Sequence, residues 1–415
     1  MSHNMSHKSI WLIIAALVPV RAAAQQQPRQ ATLPDGAGKE AVQTYCTQCH
    51  VLNLVTNAGH TSQQWSTVVN MMVNDGAKLP RDQIPLVTEY LAKNFPPKAA
   101  PQPVLIGGPV QVSFKEWELP TPGSRPHDPR AASDGSIWYT GQMANRLGRV
   151  DPATGDIKEY PLTTAGSGPH GLVEDKVGDI WFTANFKAYV GKLDPRTGAV
   201  TEYPMPDPAA RDPHTPVFDQ QGILWFTVQG GNRLGRLDPT TGEVKLVESP
   251  TQHSNPYGLV ISSTGVPFYA EFGSNKIGRI DPATMAIKEY VLPDPAARPR
   301  RIAMTSDDVI WYTDYARGYL GRLDPKTGDV KEWASPGGAR SRPYGIAQID
   351  DVLWYSESGV EPNTLVRFDP KTEKFQTWVI PAGGGVVRNM SVMPDGNLAL
   401  AESGVNRIAL VEIEH

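Results

Sequence analysis

Cysteine is nearly absent from this chain: only two occur in 415 residues. A zinc site would need a second ligand pair, and a thioredoxin-like dithiol would need a surrounding βαβ pattern; neither is present. Charge is also scarce on balance. A net charge of -4 with no basic stripe excludes nucleic acid as a partner. No phosphate-cradling glycine loop and no Gly-x-Ser-x-Gly elbow occurs, so nucleotide and serine-hydrolase chemistry are set aside. A long apolar run occurs only at Ile10–Val20, after a weakly basic start and before Arg21-Ala22-Ala23-Ala24-Gln25. That run is short for a membrane span, and with its Ala-x-Ala ending it reads as a secretory signal over residues 1–24, an uncleaved anchor being the alternative. A periplasmic location is expected, with no membrane span once the signal is removed.

The two cysteines carry the most specific motif in the chain, Cys46-Thr47-Gln48-Cys49-His50. Two thiols separated by two residues and followed at once by histidine form the attachment signature of a c-type haem. Cys46 and Cys49 add to the porphyrin vinyl groups and His50 becomes an axial iron ligand. Export agrees with this reading, because c-type haem is attached outside the bacterial cytoplasm.

Around the motif, after a polar spacer at 25–35, residues 36–95 are the helical part of the chain. A short helix over Gly38–Tyr45 leads into the motif. Thr61-Ser62-Gln63-Gln64 offers a capping box for the helix carrying Trp65, Val68, Val69 and Met72, and a third helix near Arg81–Asn94 carries Ile84, Val87, Tyr90 and Leu91. Met71, Met72 and His60 are the candidates for the sixth iron position. Positions 65, 68, 69 and 72 share one helical face, which favours Met72 over Met71, while packing alone would also account for both methionines.

Beyond the proline-rich linker at 96–111 the sequence repeats. Ile137-Trp138-Tyr139, Ile180-Trp181-Phe182, Leu224-Trp225-Phe226, Pro267-Phe268-Tyr269, Ile310-Trp311-Tyr312 and Leu353-Trp354-Tyr355 recur about every 43 residues, with Leu398-Ala399-Leu400 a degenerate seventh. Gly-Arg-x-Asp-Pro phrases such as Gly148–Pro152 and Gly321–Pro325 follow, with Thr-Gly closing most hairpins, and then an outer strand. The period suits four strands per blade and seven blades over 112–415. The last copy lacks an outer strand, and Phe114–Pro120 has the missing pattern, so the N-terminal strand is expected to close the ring. The tryptophans read as inter-blade core. The expected fold is therefore multidomain: a small all-α cytochrome c domain followed by an all-β seven-bladed propeller, as a monomer.

In each repeat one residue follows a proline just before the innermost strand: His127, His170, His214, Tyr257, Arg300 and Tyr344, with Asn389 in the seventh, where Arg388 replaces the proline. Equivalent positions in a ring converge, so these should surround one mouth. Three of the nine histidines fall on those seven positions, a concentration that marks the mouth as chemically distinct. Glu271, Asp314, Glu357 and Glu402 follow the tryptophan strand in the last four copies and should make the opposite half acidic. Such a mouth could bind a divalent cation or share protons, or merely solvate a wet channel.

Two resemblances follow from these residues. The CxxCH motif with Trp65, Met72-Val73-Asn74-Asp75-Gly76-Ala77 and Tyr90–Phe95 resembles compact single-haem cytochrome c domains, which implies Met72 as the distal ligand. Pro169-His170-Gly171, Ile180-Trp181-Phe182-Thr183 and Asn275–Pro282 resemble the virginiamycin B lyase family of seven-bladed propellers. That resemblance implies a magnesium-binding glutamate with a histidine base two residues on. Here Glu271, Glu357 and Glu402 are followed by Phe272-Gly273, Ser358-Gly359 and Ser403-Gly404, so the base is missing.

Two enzyme readings stand. One is a periplasmic oxidoreductase or electron carrier whose ring binds a small-molecule substrate or redox partner beside a tethered haem. The other is a magnesium-dependent C–O lyase with a fused cytochrome. A non-enzymatic docking scaffold is the third reading.

Overall fold

The computed structural model describes Met1 and residues 32–48, 52–74 and 76–414. The rest of the expected signal, together with Cys49 and His50, lies outside the described residues.

The helical unit is built where the sequence has helical spacing. Lys39–Ala41 is α-helical and passes into a wider π-type turn over Val42–Cys46, so the first helix is not a regular one. Ser62–Asn74 begins with the expected reciprocal cap: the Thr61 amide donates to Gln64 Oε1 at 2.9 Å and the Gln64 amide donates to Thr61 Oγ1 at 3.2 Å. A 3₁₀ turn at Arg81–Gln83 leads into Ile84–Asn94, whose Val87, Tyr90 and Leu91 are buried against Trp65 and Val69. No helix among the described residues is long and apolar enough to cross a membrane.

The propeller has seven four-stranded sheets. Six are consecutive antiparallel meanders. In the seventh, Gln111–Glu118 pairs in full register with Arg407–Glu414, from Gln111 opposite Glu414 to Glu118 opposite Arg407. The ring is thus closed by strand pairing between its two chain ends, which leaves no open edge at the seam.

Repeated residues have repeated physical reasons. Trp138, Trp181, Trp225, Trp311 and Trp354 are buried, each packed against the second strand of the following blade, as Trp181 is against Leu224 and Phe226. The glycine of each Gly-Arg or Gly-Lys phrase sits opposite an aromatic on the neighbouring strand. A Cβ at Gly148 would lie 2.0 Å from the Tyr139 ring and one at Gly191 would lie 2.2 Å from Phe182, so the aromatic fills the space that glycine leaves. The hydroxyl in the Ile-Trp-Phe-Thr phrase joins blades: Thr140, Thr183, Thr227 and Thr313 each donate to the backbone carbonyl of the ring residue in the next blade, at 2.6 to 2.8 Å. Each such buried bond contributes about 1 kcal/mol.

The two parts touch. A Cβ at Gly123 would lie 2.5 Å from the Met71 backbone nitrogen, and Asn74 Nδ2 donates to the Pro122 carbonyl at 3.0 Å, so the Ser62–Asn74 helix lies directly on the loop before the first blade. Gln64 Nε2 reaches Glu361 Oε1 at 3.4 Å on another blade.

Candidate functional site

Every innermost strand begins with a register shift just after its first residue, seven times in seven blades. A bulge breaks the two-residue alternation of side chains and re-aims the extra residue. Two successive residues per blade therefore approach the axis instead of one. The register also corrects the seventh repeat: Val387 pairs with Glu402 as Pro343 pairs with Glu357, so Val387 takes the proline place and Arg388 the ring place. Asn389 belongs to the second layer.

The first layer is His127, His170, His214, Tyr257, Arg300, Tyr344 and Arg388. Adjacent imidazoles are stacked, with centroids 3.6 Å apart for His127–His170 and 3.7 Å for His170–His214, and Tyr257 continues the series at 3.9 Å from His214. Tyr257 and Tyr344 are joined hydroxyl to hydroxyl. The Arg300 guanidinium lies 3.8 Å from the Tyr344 ring centroid and 4.4 Å from that of Tyr315. The histidines and tyrosines are buried and packed rather than lining an open mouth. Burial first, then neighbouring guanidinium charges, joined at His127 and His170 by the adjacent imidazole, holds all three histidines well below their usual pKa, so they are neutral. Burial pushes the Tyr344 phenol up, but Arg300, Arg388 and Arg301 outweigh it and bring the group below its ordinary value.

The second layer is Asp128, Gly171, Thr215, Gly258, Arg301, Gly345 and Asn389, and sequence reasoning missed it. Arg301 crosses the channel to Asp128 Oδ1 at 2.6 Å and to Thr215 Oγ1 at 3.2 Å, while His127 Nδ1 lies 2.9 Å from the same Asp128 oxygen. The glycines make this crossing possible, since a Cβ at Gly171 would lie 2.3 Å from Pro216 and one at Gly258 would lie 3.0 Å from the Arg301 Cα. The available signal was the alternation of glycine with Asp, Thr and Arg one place after each ring residue. Among the described residues His127, Asp128 and His170 bring potential ligand atoms within 4.8 Å. Asp128 is already held by Arg301, so this is an ion-paired cluster.

The expected acidic half is not formed. Glu271, Asp314, Glu357 and Glu402 are fully buried but turn into their own blades. Ser274 Oγ donates to Glu271 at 2.6 Å, Arg317 Nε donates to Asp314 at 2.6 Å, and Glu357 accepts from Thr364 and from the Gly337 amide at 2.7 and 2.6 Å. Glu402 is set against Glu116, with Arg407 nearby, and burial raises it well above the usual carboxylate range. The half of the ring opposite the imidazoles is instead phenol and guanidinium.

The magnesium set implied by the family resemblance does not fit. Burial pushes Glu271 up to about 7, and beside it Glu289 is occupied by the Lys276 ammonium at 2.5 Å. Nor could a histidine stand two residues on: a Cβ at Gly273 would lie 1.9 Å from the His253 carbonyl oxygen, and one at Gly359 would lie 2.1 Å from that of Arg340. Those backbone approaches leave no room for any side chain.

In the helical unit an apolar cavity of about 260 Å³ is lined by Cys46, His60, Trp65, Val68, Val69 and Met72, with Leu79 and Leu91 behind. Burial pushes the Cys46 thiol up and the His60 imidazole down. Met71 does not line this cavity. It faces a second one of about 170 Å³, between the helix and the ring, together with His60, Gln64, Arg125 and Arg388. His60 and Val68 belong to both walls. A thiol, a thioether and an imidazole on apolar walls are a donor set that fits a covalently held haem, the group implied by the sequence motif.

A protein-family model matches residues 109–273, 239–336 and 268–415, and its description is the virginiamycin B lyase family. The chain belongs to the virginiamycin B lyase family. Within that family's solved structures it is similar to a streptogramin B lyase at 28% identity, covering 73% of this chain and 98% of that one, with a TM-score of 0.67. Virginiamycin B lyase from Staphylococcus aureus matches at 25% identity over 72% and 99%, with a TM-score of 0.66. A catalytically inactive histidine-to-alanine variant of that enzyme with quinupristin matches equally closely, at 25% identity and a TM-score of 0.65. Hydrazine synthase from Kuenenia stuttgartiensis, at 14% identity and a TM-score of 0.59, shares the fold. No curated protein sequence matches the chain. The family match begins at residue 109 and leaves the helical unit outside it.

Proposed function

We propose that this protein is a periplasmic c-type cytochrome oxidoreductase, in which one covalent haem in the helical unit exchanges electrons with a substrate or partner held at the adjoining mouth of the propeller. The observation that carries the reading is the shared wall: His60 and Val68 separate the apolar cavity holding Cys46 and Met72 from the cavity at the mouth of the ring. Cys46, Cys49, His50 and Met72 are the residues that would hold the haem, which when bound supplies a one-electron redox centre. The chain's own residues do the rest: apolar walls exclude water from one side of His60, and the arginines beside Met71 attract and orient what enters on the other.

The lyase relatives support the fold more than the activity. A histidine is what the inactive relative lacks, and in this chain the backbone at Gly273 and Gly359 closes the places where the family's base would stand. The test follows the haem Soret and α bands of the oxidised full chain, anaerobically, while candidate small molecules are added. Reduction of the haem by a compound supports the oxidoreductase. Consumption of a compound by elimination with the haem still oxidised supports the lyase, and electron exchange with proteins alone makes the ring a docking scaffold.

A further inference from the structure

The cavity between the helix and the ring carries charge with no counter-charge among the described residues. Arg125 and Arg388 line it, and Arg300 stands across the same ring mouth. None of the three forms an ion pair with a carboxylate among the described residues; Asp128, the acid nearest the axis, is engaged by Arg301. Arg388 Nε and Arg300 Nε are buried without hydrogen-bond partners. Glu361 lies on the far side, near His60, and accepts from Gln64. Arg125 is held at φ 53 by the turn before its inner strand, as Gly168, Asp212, Asn255 and Arg342 are in other blades, so the fold fixes where its side chain begins. Two further features need a cause. Arg388 places a second guanidinium in the ring itself, in addition to that of Arg300. Arg300 is fixed by four aromatic rings, with centroids 3.8 to 4.9 Å from its guanidinium carbon.

We infer that this cavity is a binding site for a small carboxylate, gripped by Arg125 and Arg388 beneath the Ser62–Asn74 helix. Two guanidiniums present planar, paired donors that match a carboxylate's two oxygens, and low local polarity strengthens such charge-assisted bonds. Tyr344 reports the same field, since the surrounding arginines favour its anionic form despite burial. Held there, a carboxylate stands across His60 from the apolar cavity. As a statement about the substrate this rests on the oxidoreductase reading; as a statement about binding it stands on the arginines alone.

Calorimetric titration of the haem-loaded full chain with acetate and with succinate, and with succinamide as the uncharged control, tests it. The expected result is saturable binding of a carboxylate and none of succinamide, with affinity at least tenfold weaker in Arg125→Gln and Arg388→Gln variants that still melt cooperatively. If those variants do not fold, Arg388→Lys keeps the charge, loses the paired donors and should weaken binding to a similar degree. No saturable binding, or binding unchanged in all the folded variants, overturns the site. Binding only by chain prepared without haem also overturns it, by assigning the arginines to the porphyrin's own propionates. A carboxylate that binds but never reduces the haem would leave the site standing and count against the oxidoreductase reading.

Discussion

The two cavities on either side of His60 differ in how they are built and in what they would hold. The one in the helical unit is apolar, with walls of valine, leucine and tryptophan and with sulfur atoms at Cys46 and Met72. The one against the ring is polar and cationic, and its arginines come from the propeller while the helix covers it. The first is specified by a contiguous motif and one helical face. The second exists only because a bulged strand, a turn with positive φ and a docked helix meet there. A local motif can be read residue by residue, whereas a site assembled at an interface appears only when its elements are placed.

The largest effect that would separate the cavities is expected from the covalent anchor. Cys46→Ser with Cys49→Ser should abolish haem attachment entirely while leaving the propeller folded, as judged by β-type circular dichroism and a retained main melting transition. Next in size is a packing break confined to the ring. Trp181→Ala removes a buried indole between two blades and should cost about 3–5 kcal/mol in denaturant unfolding, with haem attachment unaffected. A change at the seam should touch both cavities. Gly123→Val would place a side chain 2.5 Å from the Met71 backbone at φ 68, so the helix must lift; about 1–3 kcal/mol of lost stability and weaker carboxylate binding are expected. Met72→Ala should lower the haem potential in redox titration, because a thioether ligand raises it, whereas Met71→Ala should leave the potential nearly unchanged.

The smallest effect concerns pH. The three neutral ring histidines must take up protons when the chain unfolds below about pH 6.5, so their contribution is present at neutral pH and is lost as pH falls. Each would add a slope of up to about 1.4 kcal/mol per pH unit. Asp212 and Glu271, both pushed up to about 7 by burial, act in the opposite direction: their contribution is present at low pH and is lost as pH rises toward 7. The comparison is therefore between the wild type and a His127→Gln, His170→Gln, His214→Gln variant. The variant should lose less stability between pH 6.5 and 5; an identical pH profile would mean that the imidazoles are not neutral in the folded ring.

Much of the propeller was legible because repetition states each structural reason several times. The blade period, the closing strand, expected at Phe114–Pro120 and found at Gln111–Glu118, and the buried tryptophans all followed from recurrence. The chemistry of the axis was less legible for one physical reason, the bulge at the start of every inner strand. With simple alternation Asp128, Thr215 and Arg301 would face away from the channel; the bulge turns them in. The seventh ring position is Arg388 rather than Asn389 because Val387, not Arg388, stands in the proline place. The acidic half was misread in a related way. Glu271, Asp314, Glu357 and Glu402 end strands near the mouth but find partners inside their own blades, which spacing alone does not reveal. In the helical unit, Met72 and Met71 were separated by helical phase, and they line the two different cavities.

The central claim is that the helical unit holds a covalent haem beside the ring. It is tested most directly by exporting the full chain in a cell competent for cytochrome maturation, denaturing it, and asking whether haem absorbance and mass remain with the polypeptide. The account predicts one haem per chain that survives denaturation and disappears with Cys46→Ser, Cys49→Ser. An exported, folded chain with two free thiols and no haem absorbance would contradict it.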